Sequence, residues 1–147
     1  MGKELILSWD EIEKDVIWLS EKIKKTSLDF KGLVSVSRGG LIPTGLLSRH
    51  LDITIIENIS IESYTEGNQQ SKLKQTTYLD LSKKDKGKGW LVIDDLVDTG
   101  ETFNYIKNIL PEATFCSVYA KPKGEKSTDI FSKSYAQDIW LTFPWEL

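Results

Sequence analysis

The sequence predicts an α/β fold: a mainly parallel, twisted sheet flanked by helices. Three observations lead there. Short apolar runs of strand length alternate with stretches of helical period. The run Trp90-Leu-Val-Ile93 leads straight into two adjacent carboxylates and a hydroxyl-rich loop, with a helix after it. The chain has 147 residues and no linker, which suits a single domain spanning 1–147 with a real core.

The elements follow in order. Ser8 and Glu11 stand at the spacing of a capping box. Ile12, Val16, Leu19 and Ile23 then recur at helical spacing, so a first helix is expected to end near Lys22 to Thr26. Trp9 and Trp18 are assigned to its core packing. Leu33 to Val36 is a short strand, Ser37-Arg-Gly-Gly40 the turn after it, and a helix follows with Pro43 in its first turn. Ile53 to Ile61 reads as the next strand, and the polar stretch Glu62 to Thr77 as a long exposed loop or hairpin of the kind that usually serves function. Lys83 to Gly89 is a solvated turn. Trp90 to Ile93 is a buried strand, Phe103 to Leu110 a helix, and Thr114 to Ala120 a further strand ending at Lys121-Pro-Lys-Gly124. An aromatic-rich tail closes the chain.

Composition narrows the function. With 39% hydrophobic and 28% charged residues the chain should be globular, and no apolar run has the length of a membrane span. A formal charge of −3 disfavours nonspecific nucleic-acid binding. The N-terminus lacks the apolar core of a signal peptide. Cys116, the single cysteine, sits in a strand pattern and reads as a small core residue. These features point to a cytoplasmic protein. His50, the single histidine, falls at a helix end, so neither histidine catalysis nor a zinc site is expected.

The chemistry concentrates at strand ends, where open α/β sheets bind their ligands. Asp98-Thr-Gly-Glu-Thr102 offers hydroxyls, a glycine for close approach and the free N–H groups of a helix start, which together make a phosphate cradle. Asp94 and Asp95 would repel that phosphate, and fit sugar hydroxyls and a divalent cation instead. Ser37, Arg38 and Gly39 form a second polar turn that can wrap a pyrophosphate, with Arg38 as fixed charge. Lys121 can aim an ammonium into the same crevice, and Trp140 can offer a flat face to a base. Taken singly, Lys121 reads as a surface lysine and Trp140 as ordinary core. A phosphatase with an aspartyl nucleophile is a rival, but it wants Asp-x-Asp after its first strand.

The stretch Ile93-Asp-Asp-Leu-Val-Asp-Thr-Gly100, then Thr102, resembles the signature of the phosphoribosyltransferases. With Ser8-Trp-Asp10, Val36-Ser-Arg-Gly-Gly-Leu-Ile-Pro43, Ala120-Lys-Pro122 and Trp140-Leu-x-x-Pro-Trp145, the resemblance extends over nearly the whole chain to the bacterial xanthine-guanine enzymes. It implies a phosphoribosyltransferase-type fold with a small hood from the C-terminal segment, Mg2+ as cofactor, and a homo-oligomer, dimer or tetramer. It also implies transfer of a phosphoribosyl group from 5-phosphoribosyl 1-pyrophosphate to N9 of guanine, xanthine or hypoxanthine in purine salvage. By the same resemblance, Lys121 reads the purine 6-oxo group, Trp140 stacks on the base, and the Leu141 carbonyl helps read the 2-position. Asp94 and Asp95 hold the ribose, Asp95 beside the metal. Thr99, Gly100, Glu101 and Thr102 hold the 5-phosphate, Val97 is a further substrate-binding residue, and Asp98 faces N7 and exchanges a proton with it. A non-proline cis peptide is expected at Arg38–Gly39.

Three departures stand out. Gln70 follows Asn68 and Gln69 where these enzymes often carry Arg, Thr142 stands where they often carry Glu, and the chain stops at Leu147 without their usual extension. Other readings are a non-catalytic sensor of the ribosyl pyrophosphate on the same fold, and an adenine or orotate enzyme. Lys121 argues against adenine, whose 6-amino group donates rather than accepts.

Overall fold

The computed structural model describes residues 2–64, 72–75 and 85–147. Its main sheet has six strands: β2 (Gly32–Ser37), β3 (Ile56–Tyr64), β4 (Lys72–Gln75), β5 (Trp90–Val97), β6 (Thr114–Ala120) and β7 (Ile130–Ser134), in the order β4-β3-β2-β5-β6-β7. Five of them run parallel, and β4 returns antiparallel along β3. The chain winds outward from β2 to β3 on one side and from β5 to β7 on the other. The switch in winding therefore falls between β2 and β5, where a crevice opens at the strand ends.

Alternation along the strands sorts the core into two layers, as a parallel sheet covered on both faces requires. Leu33, Leu91, Ile93 and Cys116 face α1 (Trp9–Lys25) and α2 (Leu41–Leu51). Val34, Val92 and Phe115 face α3 (Glu101–Ile109), which supplies Phe103 and Ile106. Helix α1 starts at the expected capping box: Glu11 N–H donates to Ser8 Oγ at 3.1 Å, and Ser8 N–H to Glu11 Oε2 at 2.8 Å. Its apolar stripe, Ile12, Val16, Leu19 and Ile23, is buried. Asp15 on the same helix accepts the Tyr119 hydroxyl at 2.5 Å and lies 3.4 Å from Lys133 Nζ, so it joins α1 to β6 and β7.

Several expectations need correction. Trp9 and Trp18 are not core residues: they are 54% and 52% exposed. Trp18 projects about 130° from the buried stripe, given 100° per residue. Trp9 lies at the stripe's edge, where its ring meets Trp145 at 5.9 Å. Strand β3 begins at Ile56, three residues later than expected, because α2 ends in a left-handed turn at Asp52 and Ile53 N–H still bonds the Ser48 carbonyl. It also runs on to Tyr64, where it pairs with β4; the rest of the polar stretch lies outside the described residues. Helix α3 starts at Glu101, two residues early. Strand β5 continues through Asp94 and Asp95 to Val97.

Three strands had no sequence signal strong enough to mark them. β7 is an edge strand with few apolar residues. β1 (Glu4–Ile6) and β8 (Trp140–Thr142) are three residues each and pair in parallel, Leu5 opposite Leu141. The small second sheet beside the crevice is thus made from both ends of the chain, where only the C-terminal end was expected.

Candidate active site

Adjacent parallel strands deliver their loops to one crevice. At the end of β2, Ser37 Oγ lies 2.7 Å from Ser60 Oγ and accepts Asn58 Nδ2 at 3.0 Å, which fixes the start of the polar turn. The non-proline cis peptide joins Ser37 to Arg38, one bond earlier than expected: it falls where β2 ends, before Arg38 and not after it. Arg38 is exposed. Gly39 passes directly against β5, since a Cβ there would lie 2.6 Å from Asp95 Oδ2. A side chain at Gly39 would push the polar turn off the acidic pair.

Asp94 and Asp95 sit together in β5. Asp94 Oδ1 accepts Asp95 N–H at 2.8 Å, and Asp95 Oδ1 accepts Leu96 N–H at 2.7 Å. Burial pushes the Asp94 carboxyl well above its ordinary range, and the neighbouring Asp95 charge adds to it. Asp95 is raised as well, chiefly by burial. Two adjacent half-buried carboxyls, neither in an ion pair with another described residue, are matched by a divalent cation and by hydroxyl donors. Among the described residues no group of three acidic, thiol or imidazole side chains gathers. An oxygen-only pair nevertheless suits Mg2+, which takes one or two carboxylates and completes its shell from substrate oxygens and water.

Beyond Val97 the chain turns into α3. Gly100 caps that helix at φ 93°, a left-handed conformation that glycine adopts without strain, and its Cα packs against Ser127. Ser127 is held in turn, its Oγ donating to Asn104 Oδ1 at 3.0 Å. Asp98, Thr99 and Glu101 are exposed around this helix start, with Gly100 buried and Thr102 half-buried. No side chain caps this helix start, which leaves the first-turn N–H groups available to a phosphate.

Lys121 follows directly on β6, and its N–H bonds the Val97 carbonyl at 3.0 Å. Lys121 is not a surface lysine. It is 4% exposed, with Nζ 3.5 Å from Asp98 Oδ2. Trp140 is not core either: it is 69% exposed, while Leu141 beside it is buried, because β8 turns alternate side chains to opposite faces.

Three cavities open along this crevice and share walls. The first, about 220 Å³, is lined by Asp95, Leu96, Asp98, Lys121, Trp140, Leu141, Phe143 and Glu146. The second, about 250 Å³, is lined by Asp94, Leu96, Val97, Asp98, the Thr99–Phe103 stretch and Leu73 of β4. The third, about 710 Å³, runs from Arg38 and Gly39 past Leu41 and Ile42 to Asp95, Trp145 and Glu146. Asp98 borders the first two, and Asp95 and Glu146 border the first and third. The crevice therefore has one flat-walled compartment, one helix-start compartment and one beside an arginine, meeting at the acidic strand end.

Of the expected site residues, all but Ser37 line these cavities, and Ser37 anchors the turn that carries Arg38. Gln70 lies outside the described residues. Thr142 donates to Glu4 Oε1 at 3.4 Å across the small sheet. Sequence reasoning missed Phe143, Glu146 and Gln137. Phe143 stacks on Trp145 at 4.8 Å and backs the flat-walled compartment. Gln137 Nε2 donates to Asp98 Oδ1 at 2.6 Å. Only the nearness of these three to the Trp-Leu and Pro-Trp motifs could have pointed to them.

A family model for the phosphoribosyl transferase domain matches residues 4–147. A xanthine-guanine phosphoribosyltransferase of Idiomarina loihiensis is 37% identical over 146 residues, covering 99% of this chain and 89% of the relative. The enzyme of the same name from Chromohalobacter salexigens is 39% identical over 145 residues, covering 99% and 85%. The solved xanthine-guanine-hypoxanthine phosphoribosyltransferase of Helicobacter pylori superposes with a TM-score of 0.78 at 26% identity, covering 98% of this chain and 94% of that one. Sequence and fold agree over essentially the full length, and the chain belongs to the phosphoribosyltransferase family.

Proposed function

We infer that this chain transfers a phosphoribosyl group from 5-phosphoribosyl 1-pyrophosphate to N9 of a 6-oxopurine, releasing pyrophosphate, as a purine-salvage glycosyltransferase. The observation that carries this reading is the match between three joined compartments and a reaction with three parts: base, ribose 5-phosphate and pyrophosphate. Lys121 and Asp98, 3.5 Å apart, form a donor beside an acceptor. The 6-oxo group and N7–H of a purine present an acceptor beside a donor. Adenine presents a 6-amino donor to Lys121 and leaves a buried ammonium unmatched.

In the reaction the N9 lone pair bonds to ribose C1 as the C1–oxygen bond to pyrophosphate breaks. The N7 proton passes to Asp98. Trp140 and Phe143 bound the base compartment, Lys121 fixes the 6-oxo group, and the Leu141 carbonyl faces the 2-position. Backbone donors from Gly100 to Thr102, with the Thr99 and Thr102 hydroxyls, hold the 5-phosphate. Arg38 and the turn from Ser37 to Gly39 take the charge of the departing pyrophosphate. Asp94 and Asp95 hold the ribose hydroxyls, Asp95 being the residue beside Mg2+. When bound, the cation supplies charge neutralisation at the ribose and the leaving group.

The same reading includes a homo-oligomer and a cytoplasmic location without nucleic-acid partners. The buried single thiol, which burial pushes far above its ordinary range, supports the location, and the chain's net negative charge supports the absence of nucleic-acid partners. No described helix is long and apolar enough to cross a membrane. A sensor of the ribosyl pyrophosphate would not need the base compartment. The test is pyrophosphate release on mixing the protein with Mg2+, the ribosyl pyrophosphate and guanine, xanthine or hypoxanthine in turn. Release with at least one of them is expected. Binding of the ribosyl pyrophosphate without release for any would favour the sensor.

A further inference from the structure

Asp98 stands on a loop and is half exposed, so something must hold its carboxylate in one orientation for it to meet a bound base. One oxygen, Oδ2, faces Lys121 Nζ at 3.5 Å. The other, Oδ1, accepts Gln137 Nε2 at 2.6 Å, and the same nitrogen lies 3.4 Å from the Asp98 carbonyl. The far end of the Gln137 amide is also fixed, since Oε1 accepts Lys123 N–H at 2.9 Å. A backbone N–H can only donate, so the oxygen end of the amide must face Lys123 and the NH2 end must face Asp98. Gln137 therefore bridges three pieces of the site: the loop after β5, the turn after Lys121, and the segment that leads to Trp140.

We propose that Gln137 is a positioning residue for the reaction, holding the Asp98 carboxylate in register with purine N7 through one fixed amide. The proposal rests on the reading of Asp98 as the group that takes the N7 proton. Its force comes from what happens when a base enters. Lys121 is then shared between Asp98 and the 6-oxo group, which loosens its grip on Oδ2. Gln137 does not line the base compartment, and its bond to Oδ1 is left in place. Oδ1 stays anchored while Oδ2 is presented to N7. Glutamate at 137 would keep the length and still accept from Lys123 N–H, yet turn an acceptor toward an acceptor. The chemistry calls for an amide here, which a merely space-filling residue would not.

The experiment is a double-mutant cycle on the whole protein with Gln137→Glu, Asp98→Asn and the double variant. It reads the single-turnover rate at saturating substrates, the affinity for the ribosyl pyrophosphate, and the melting temperature. Gln137→Glu is expected to slow the single turnover roughly ten- to a hundredfold, the scale of one charge-assisted hydrogen bond. The affinity for the ribosyl pyrophosphate should stay within about twofold, because that compartment is untouched. The double variant should be no slower than Asp98→Asn alone. If Gln137→Glu lowers the melting temperature, Gln137→Met takes its place in the same cycle. A wild-type rate for Asp98→Asn would remove the base role and this proposal with it. A slow Asp98→Asn beside a wild-type Gln137→Glu would overturn the Gln137 proposal alone. Additive losses in the double variant would also overturn it, since Gln137 would then act by some route other than Asp98.

Discussion

Asp94 shows best what the proposed ribose-binding role would cost folding. Its carboxyl is held well above the ordinary value of 3.8, first by burial and then by Asp95. Folding thus favours the protonated form, and the charged form is a burden at neutral pH. That burden is fully present above the raised value and is relieved as the pH falls through it, vanishing below the unfolded value. Asp94→Asn should therefore raise the melting temperature of the ligand-free protein by roughly a few degrees at pH 8. The gain should shrink as the pH is lowered toward 4. Turnover should fall by roughly tenfold or more, because an amide replaces one of the carboxyl oxygens that would accept the ribose hydroxyls. Melting curves across pH, read beside initial rates, check both halves; an unchanged melting temperature at pH 8 would show that Asp94 carries no such burden. At this scale, the placement of the signature residues at the crevice was legible, because paired carboxylates, a glycine and hydroxyls directly after an apolar run mark a strand end. Tryptophans were not. Trp9 and Trp18 looked like core and are exposed, because large apolar size says how much a residue gains from burial and not which side of a helix it occupies.

Among elements, the β5–α3 unit carries most of the site. An apolar strand, an acidic end, a left-handed glycine and a helix start follow one another within the sequence, so its geometry is local and could be read directly. Gly100 is its pivot. Gly100→Ala places a Cβ at φ 93° and against Ser127, whose own position is fixed by Asn104. The expected cost is about 1–3 kcal/mol of stability. The Michaelis constant for the ribosyl pyrophosphate should rise more than that for the purine, because the helix start moves away from the phosphate. Equal changes in both constants would place the glycine's role elsewhere. Element boundaries were less legible. Strand β3 starts late because the left-handed Asp52 ends α2, an event set by the hydrogen bonds of the helix end rather than by hydrophobic pattern.

For the whole molecule, the parallel order of the sheet was legible as a class, since alternating strands and helices leave few other arrangements. The pairing of β1 with β8 was not. It joins residues at opposite ends of the chain, and three-residue strands carry too little pattern to be recognised alone. It matters because the Trp140 N–H bonds the Lys3 carbonyl at 2.7 Å, so the N-terminus holds the segment that flanks the base compartment. Removing residues 2–6 should raise the Michaelis constant for the purine by roughly threefold or more, the loss of about one neutral hydrogen bond and its packing. The constant for the ribosyl pyrophosphate should change little. An equal rise in both would mean that β1 supports the fold generally and not the base compartment.

In the proposed reaction the buried Lys121 beside Asp98 reads the 6-oxo edge of the purine. The most direct measurement is kcat/KM for guanine against adenine, with Mg2+ and the ribosyl pyrophosphate, in the wild-type protein and in Lys121→Met. Wild type should prefer guanine by roughly a hundredfold or more, and Lys121→Met should cut that preference by roughly ten- to a hundredfold, chiefly through guanine. Equal use of the two purines by wild type, or a preference that Lys121→Met leaves unchanged, would contradict the account.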